Sequence, residues 1–234
     1  MKWVQWWSVG VVAMACTVAQ AASVSIASDP SSAGTSRGLE IQGSNGFGTL
    51  NVLENNSIVD GFFTGEIALP TDPDAFKASQ TSNVFASPRA LTVIANGSAA
   101  FARPVTVDST LVSQSRSFIH LEFTIDSPFS FDTNGTLGAS GPGTAGAIFT
   151  LKKGDSDLII NENTKGSFAH KGVLKAGLYT LDIVANAADG AGFGESNFDV
   201  TLNVNAVPVP LPAAVYPGAI LIGALIVRKW RASV

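Results

Sequence analysis

Cysteine is nearly absent from this 234-residue chain: the single residue, Cys16, falls in an apolar run near the N-terminus. Once that run is removed no thiol remains, which excludes disulfides, cysteine-zinc sites and thiol catalysis. Histidine is almost as scarce. His120 and His170 stand 50 residues apart, so neither belongs to a paired-histidine metal motif. Charge is thin too, at 14% of residues with a mean hydropathy of +0.28, which places some of the apolar content in membrane-directed segments. Positive charge is depleted from the middle in particular. All 18 acidic residues lie between Asp29 and Asp199, whereas Lys2, Arg228, Lys229 and Arg231 sit at the ends, so the middle carries ten basic residues and a net charge of about −8. Such a surface repels phosphate backbones and excludes a nucleic-acid partner. Tryptophan is missing from the middle as well, since Trp3, Trp6, Trp7 and Trp230 are all terminal.

The first segment combines a short positive start at Lys2, an apolar stretch from Val9 to Val18 and the small-residue site Ala19-Gln20-Ala21, followed by Ala22. This is the pattern of a secretory signal peptide over residues 1–21, with cleavage after Ala21, and it implies the secretion translocon and signal peptidase as partners. Two other readings stand beside it. One is an uncleaved N-terminal anchor; the other is a lipoprotein signal through Cys16, which Ala13 and Met14 fit poorly.

From about Ser23 to Asn205 the chain consists of short runs of Val, Ile, Leu, Phe and Thr, broken every eight to twelve residues or so by Gly, Asn, Asp, Ser or Pro. Alternation is clear in 49–53, 118–125, 178–184 and 198–204. In the second of these Ile119, Leu121, Phe123 and Ile125 share one face and pack inward, while Phe118, His120, Glu122 and Thr124 share the other. No stretch has a convincing helical period of ten residues, and Asp72–Ser79 offers a short helical turn at most. Ten to twelve strands without βαβ alternation predict an all-β body over 22–205, an antiparallel β-sandwich of jelly-roll-like or immunoglobulin-like kind. The glycine-rich stretch 132–146 and the stretch 187–194 are expected to be flexible connections.

No charge occurs between Asp199 and Arg228, and Ala213–Val227 is apolar except for Tyr216. Fifteen residues of helix reach about 22 Å against a hydrocarbon core of about 30 Å, so Leu211–Trp230 must contribute to a transmembrane helix whose core is 213–227. The basic stop Arg228, Lys229 and Arg231 places the tail 228–234 in the cytoplasm and the body outside, the same orientation that the signal peptide requires. Ahead of the helix lies the linker 206–212, whose Pro208, Pro210 and Pro212 lack amide hydrogens and hold the segment extended. A processing enzyme can grip such a chain; a rigid spacer is the plainer alternative.

Val209-Pro210-Leu211-Pro212-Ala213, the apolar run and the basic cluster together resemble a PEP-CTERM type sorting signal in its VPLPA variant. The resemblance covers about the last 26 residues. It implies an exosortase-type membrane enzyme as partner, one that cleaves near the motif and passes the body from the inner membrane to the cell surface or an extracellular polysaccharide matrix. A classical sortase signal fits less well, since Leu211-Pro212 is not followed by the Thr-Gly at which that enzyme cuts.

Chemistry in the body has few candidates. His120 and Glu122 share a strand face and read as a polar stripe rather than a dyad, and His170 in Ala169-His170-Lys171-Gly172 reads as a hairpin tip. The pairs Asp72/Asp74 and Asp155/Asp157 resemble calcium loops but lack the offsets of an EF-hand. Gly46-Phe47-Gly48 lies in strand context and carries no nucleotide signal. The expectation is therefore a non-enzymatic surface or matrix protein with no catalytic, metal or cofactor site. The alternatives are a carbohydrate-binding or adhesive module, and an anchored hydrolase.

Overall fold

The alternating segments become strands because one face of each is apolar and must leave water, while the β-branched residues favour extended backbone. A computed structural model describes residues 22–26, 35–43, 49–55, 61–68, 76–101, 113–141, 144–188 and 193–208. The signal peptide, the Asp72/Asp74 pair, the sorting motif from Val209 to Ala213, the apolar run and the basic stop lie outside the described residues. Thirteen strands occur among those described: β1 (Val24–Ile26), β2 (Thr35–Gly43), β3 (Thr49–Asn55), β4 (Gly61–Ala68), β5 (Phe76–Ser87), β6 (Ala90–Phe101), β7 (Ser113–Ile125), β8 (Phe129–Ser140), β9 (Thr144–Lys153), β10 (Asp157–Glu162), β11 (Gly166–Leu174), β12 (Gly177–Ala188) and β13 (Gly194–Ala206). No helix occurs among the described residues.

The strands form two antiparallel sheets. One runs β10-β9-β12-β7-β2-β3, and the other β11-β8-β13-β6-β5-β4. β1 joins the first by pairing with β7 in line with β2: Ile26 faces Phe123 and Thr35 faces Leu121, so the two lie along one edge of β7. The last eight strands pair in a nested order, β6 with β13, β7 with β12, β8 with β11 and β9 with β10. Within each sheet these pairs are linked by one further pairing, β12–β9 in the first and β13–β8 in the second.

The two inner faces share one core, centred on Phe123, Phe149, Leu181, Ile183, Phe198, Val200 and Leu202. Each such side chain contributes about 1.5–3 kcal/mol by leaving water. Close approach selects glycine at Gly97, where a Cβ would overlap the Phe198 ring and Ser117 Oγ. Tyr179 is 1% exposed, stacks on Phe123 at 5.5 Å between centroids, and donates its hydroxyl to the Lys175 carbonyl at 2.6 Å. The hydroxyl bond to a carbonyl four residues upstream has the form of the tyrosine corner found in β-sandwiches. Arg37 ties the sheets together from β2, donating to the Gly61 carbonyl at 2.9 Å and Ser82 Oγ at 3.4 Å across the layer.

Three expectations need correction. The stretch 132–146 is not a flexible connection: β8 and β9 occupy most of it, with the turn confined to the neighbourhood of Gly141, whose φ is 92°. Gly135 is a packing glycine within β8, since a Cβ there would overlap the Asp199 carbonyl. The helical turn over Asp72–Ser79 is replaced from Phe76 onward by β5, where Phe76 and Ala78 point inward and Phe76 meets Phe101 at 4.7 Å. The strand count exceeds the expected range because β1 and β2, which share one line on β7, are separate strands.

Candidate functional site

The outer face of the sheet containing β7 brings titratable groups of three neighbouring strands together around Asp182. Register sets Asp182 on β12 opposite both His120 on β7 and Thr150 on β9. His120 Nδ1 and Asp182 Oδ1 are 2.5 Å apart, Lys152 Nζ is 3.9 Å from Asp182 Oδ2, and Thr150 Oγ1 donates to Oδ2 at 3.5 Å. Glu122 stands on the same face with its carboxylate 3.9 Å from His120 Nε2. The hydrogen bond to Asp182 holds the imidazole pKa above its ordinary value; burial opposes this, the Asp182 and Glu122 charges add to it, and Arg116 subtracts from it. Burial pushes the Asp182 carboxyl up, but the His120 hydrogen bond and charge, with Lys152 and Thr150, carry it below the usual carboxylate range.

This constellation is a charge-paired strip. A hydrolytic arrangement needs a nucleophile within reach of the second imidazole nitrogen, and that nitrogen faces Glu122. The expected stripe of His120 and Glu122 is therefore present, with Asp182 as a member that sequence reasoning missed. Its outward parity was readable from Leu181 and Ile183, but which strand would pair with β7 was not.

His170 is not at a hairpin tip. It lies inside β11 opposite Thr133, because pairing with β8 continues without a break over all nine residues. Its Nε2 meets Glu162 Oε1 of β10 at 2.7 Å, so the pair clasps the edges of the two sheets. Asp155 occupies the turn between β9 and β10 and Asp157 opens β10. No group of three or more potential metal ligands converges among the described residues.

The outer face of the sheet containing β6 has a different composition. Its rows consist mainly of hydroxyl and amide side chains, among them Thr64 near Thr81 at 3.4 Å, Ser79 near Ser98 at 2.8 Å, and Thr92 donating to Asn203 at 3.1 Å. Two shallow hollows open on it. One, of about 320 Å³, lies over Gly135 beside Asn134 and Asp199; the other, of about 330 Å³, lies between Glu66, Lys77 and Glu195. Phe62 and Phe85 stand out from this face, 65% and 58% exposed, with Ile94 at 50%. Local pattern does not separate these two phenylalanines from the core ones, because the parity of β4 and β5 depends on where each strand starts.

Fold and surface together define an all-β protein of two antiparallel sheets with two unlike outer faces. No family model matches the chain, and no curated protein does. Among solved structures, infectious bursal disease virus Gx strain is similar at 11% identity over 82% of this chain and 71% of that one, with a TM-score of 0.23. A GH31 alpha-xylosidase from Xanthomonas citri is similar at 9% identity over 79% of this chain and 28% of that one, with a TM-score of 0.20. At these values neither bears on fold or function.

Proposed function

We propose that the chain is an exported, non-enzymatic surface or matrix protein. Signal peptide 1–21 delivers it, a membrane helix at 213–227 holds it transiently in the inner membrane, and an exosortase-type enzyme releases it at Val209-Pro210-Leu211-Pro212-Ala213. Its body is a jelly-roll-like sandwich; the nested pairing of β6–β13 favours that order over an immunoglobulin-like one.

The observation that carries this reading is where the body ends. Val24 N donates to the Pro88 carbonyl and Ala206 N donates to the Arg89 carbonyl, each at 2.9 Å, so both ends of the sandwich are fastened to adjacent residues of one turn. Ala22 is buried at 7% exposure, and Ser23 bonds Asp126 through its backbone amide and its hydroxyl, each at 2.7 Å. Cuts after Ala21 and at the proline motif therefore leave every core strand in place. The non-catalytic part is supported by His120, which spends one ring nitrogen on Asp182 and turns the other toward Glu122.

Replacing Pro210 and Pro212 together by Ala tests the reading in the native cells. Transfer of the body out of the membrane fraction is expected to stop. Unchanged release from that variant would make the prolines a spacer.

A further inference from the structure

The sandwich leaves two phenylalanine rings in water on the face of the sheet β11-β8-β13-β6-β5-β4, a position that folding alone does not reward. Register places them together. Phe62 on β4 is opposite Asn83 on β5, Ile94 on β6 is opposite the same Asn83, and Phe85 lies two residues further along β5, diagonal to both. The result is an apolar triangle with a planar amide at its centre. Beside it stand Asn96 on β6 and Asn203 on β13, the latter oriented by the hydrogen bond that its carbonyl oxygen accepts from Thr92, which leaves its amide hydrogens free to donate.

Charge identifies the class of partner. The row Phe62, Asn83, Ile94, Thr201, Asn134 and Ala169 crosses all six strands without one charged residue, in a body whose net charge is about −8. In the row on one side Asp132 and Lys171 neutralise each other at 2.9 Å, and in the row on the other side Asp199 stands opposite Asn96. One carboxylate offers a cationic partner little, and an anionic partner would be repelled. A wholly apolar partner would strand the amides without hydrogen bonds. A neutral polyhydroxylated chain satisfies both halves of the surface: its C–H faces lie on the rings, and its hydroxyls meet the amides. Six strands spaced about 4.8 Å apart give a platform roughly 24 Å across, long enough for several sugar rings in succession.

We propose that this face binds an uncharged polysaccharide, with Phe62 and Phe85 as stacking rings and Asn83, Asn96 and Asn203 as hydrogen-bonding groups. The inference deepens the reading of the chain as a matrix protein and rests on it for the setting in which the polysaccharide is met.

The test is saturable binding of the full chain in detergent to three soluble neutral polysaccharides, a mixed-linkage β-glucan, a galactomannan and dextran, with alginate as the anionic control. At least one neutral polymer is expected to bind, with little change in affinity between 50 mM and 500 mM salt. Phe62→Ala with Phe85→Ala is expected to weaken it at least tenfold, and Asn83→Ala provides a second variant that removes no ring should the first disturb folding. His120→Gln, on the opposite face, should leave binding unchanged.

Absence of binding to all three neutral polymers would overturn the proposal. So would binding that both variants retain, a salt-sensitive preference for alginate, or self-association of the chain that the double variant abolishes. A body that binds but stays in membranes would contradict the sorting reading alone, and a released body that does not bind would contradict this one alone.

Discussion

The two outer faces of the sandwich are made from similarly short polar residues and end in opposite states. On the β7 side the charges are spent on one another: His120 and Lys152 on Asp182, and Arg116 on Glu40 at 3.9 Å and over the Phe118 ring at 4.8 Å. On the β6 side the row through Phe62 and Asn83 is uncharged, and Glu66, Lys77, Glu195, Asp199 and the Lys171–Asp132 pair lie in other rows. Paired charges satisfy one another and offer little to a partner, whereas amides with free donors remain available to one. A face whose charged groups are spent on one another is thus the less promising of the two for recognition, and the face with an uncharged row of rings and amides the more so.

Removing what the faces share should have the largest effect. Phe198→Ala opens a cavity beside Gly97 at the centre of the core and is expected to cost about 3–5 kcal/mol, read as a lowered urea midpoint. Both faces should be lost in one transition, and two separate transitions would mean that the sheets do not share one core. Tyr179→Phe removes the hydroxyl bond to the Lys175 carbonyl, a loss of about 1 kcal/mol that should leave both faces intact.

Smaller again is the separation of the faces by pH. The His120 pKa is raised, so its contribution is fully present below about pH 6.5 and fades as pH rises through the raised folded value. The Asp182 pKa is lowered, so its contribution is present above about pH 3.9 and fades as pH falls through the lowered value. The β7 face is therefore tightest in mildly acidic solution. For a partly exposed pair the effect is about 1 kcal/mol or less, and His120→Gln should flatten the fall in melting temperature on the alkaline side. An unchanged slope would remove the pair from the account.

The smallest effect is local. The Asp126 carboxyl is held below the usual range by the backbone amide and then the hydroxyl of Ser23, so acid that protonates it releases the start of β1. Protection of the β1 amides against hydrogen exchange, measured relative to the intrinsic rate, should fall as pH falls. Asp126→Asn should show that lowered protection already at neutral pH.

The class of fold was legible because strands announce themselves locally. Alternation in 118–125 placed Ile119, Leu121, Phe123 and Ile125 in the core correctly, whereas Phe118, expected on the outer face, is buried there beneath Arg116. What failed was context. Glycine in 132–146 looks like a loop when read alone, yet Gly135 and Gly138 are strand residues whose neighbours occupy the space a side chain would fill. His170 sits among small and polar residues, and only its pairing with β8 shows that it belongs to a strand. Each candidate surface depends on register between distant segments: Asp182 lies 62 residues from His120, and Asn203 lies 111 from Thr92. Local pattern carries no information about such pairs.

Both faces matter to the cell only if the body leaves the membrane whole. The intact mass and terminal peptides of the protein recovered from native membranes and from the medium test that directly. The account predicts a released product that begins at Ala22 and ends within Val209–Ala213, with every strand from β1 to β13 retained. A product found only in membranes and still ending at Val234 would contradict it and leave an ordinary anchored ectodomain.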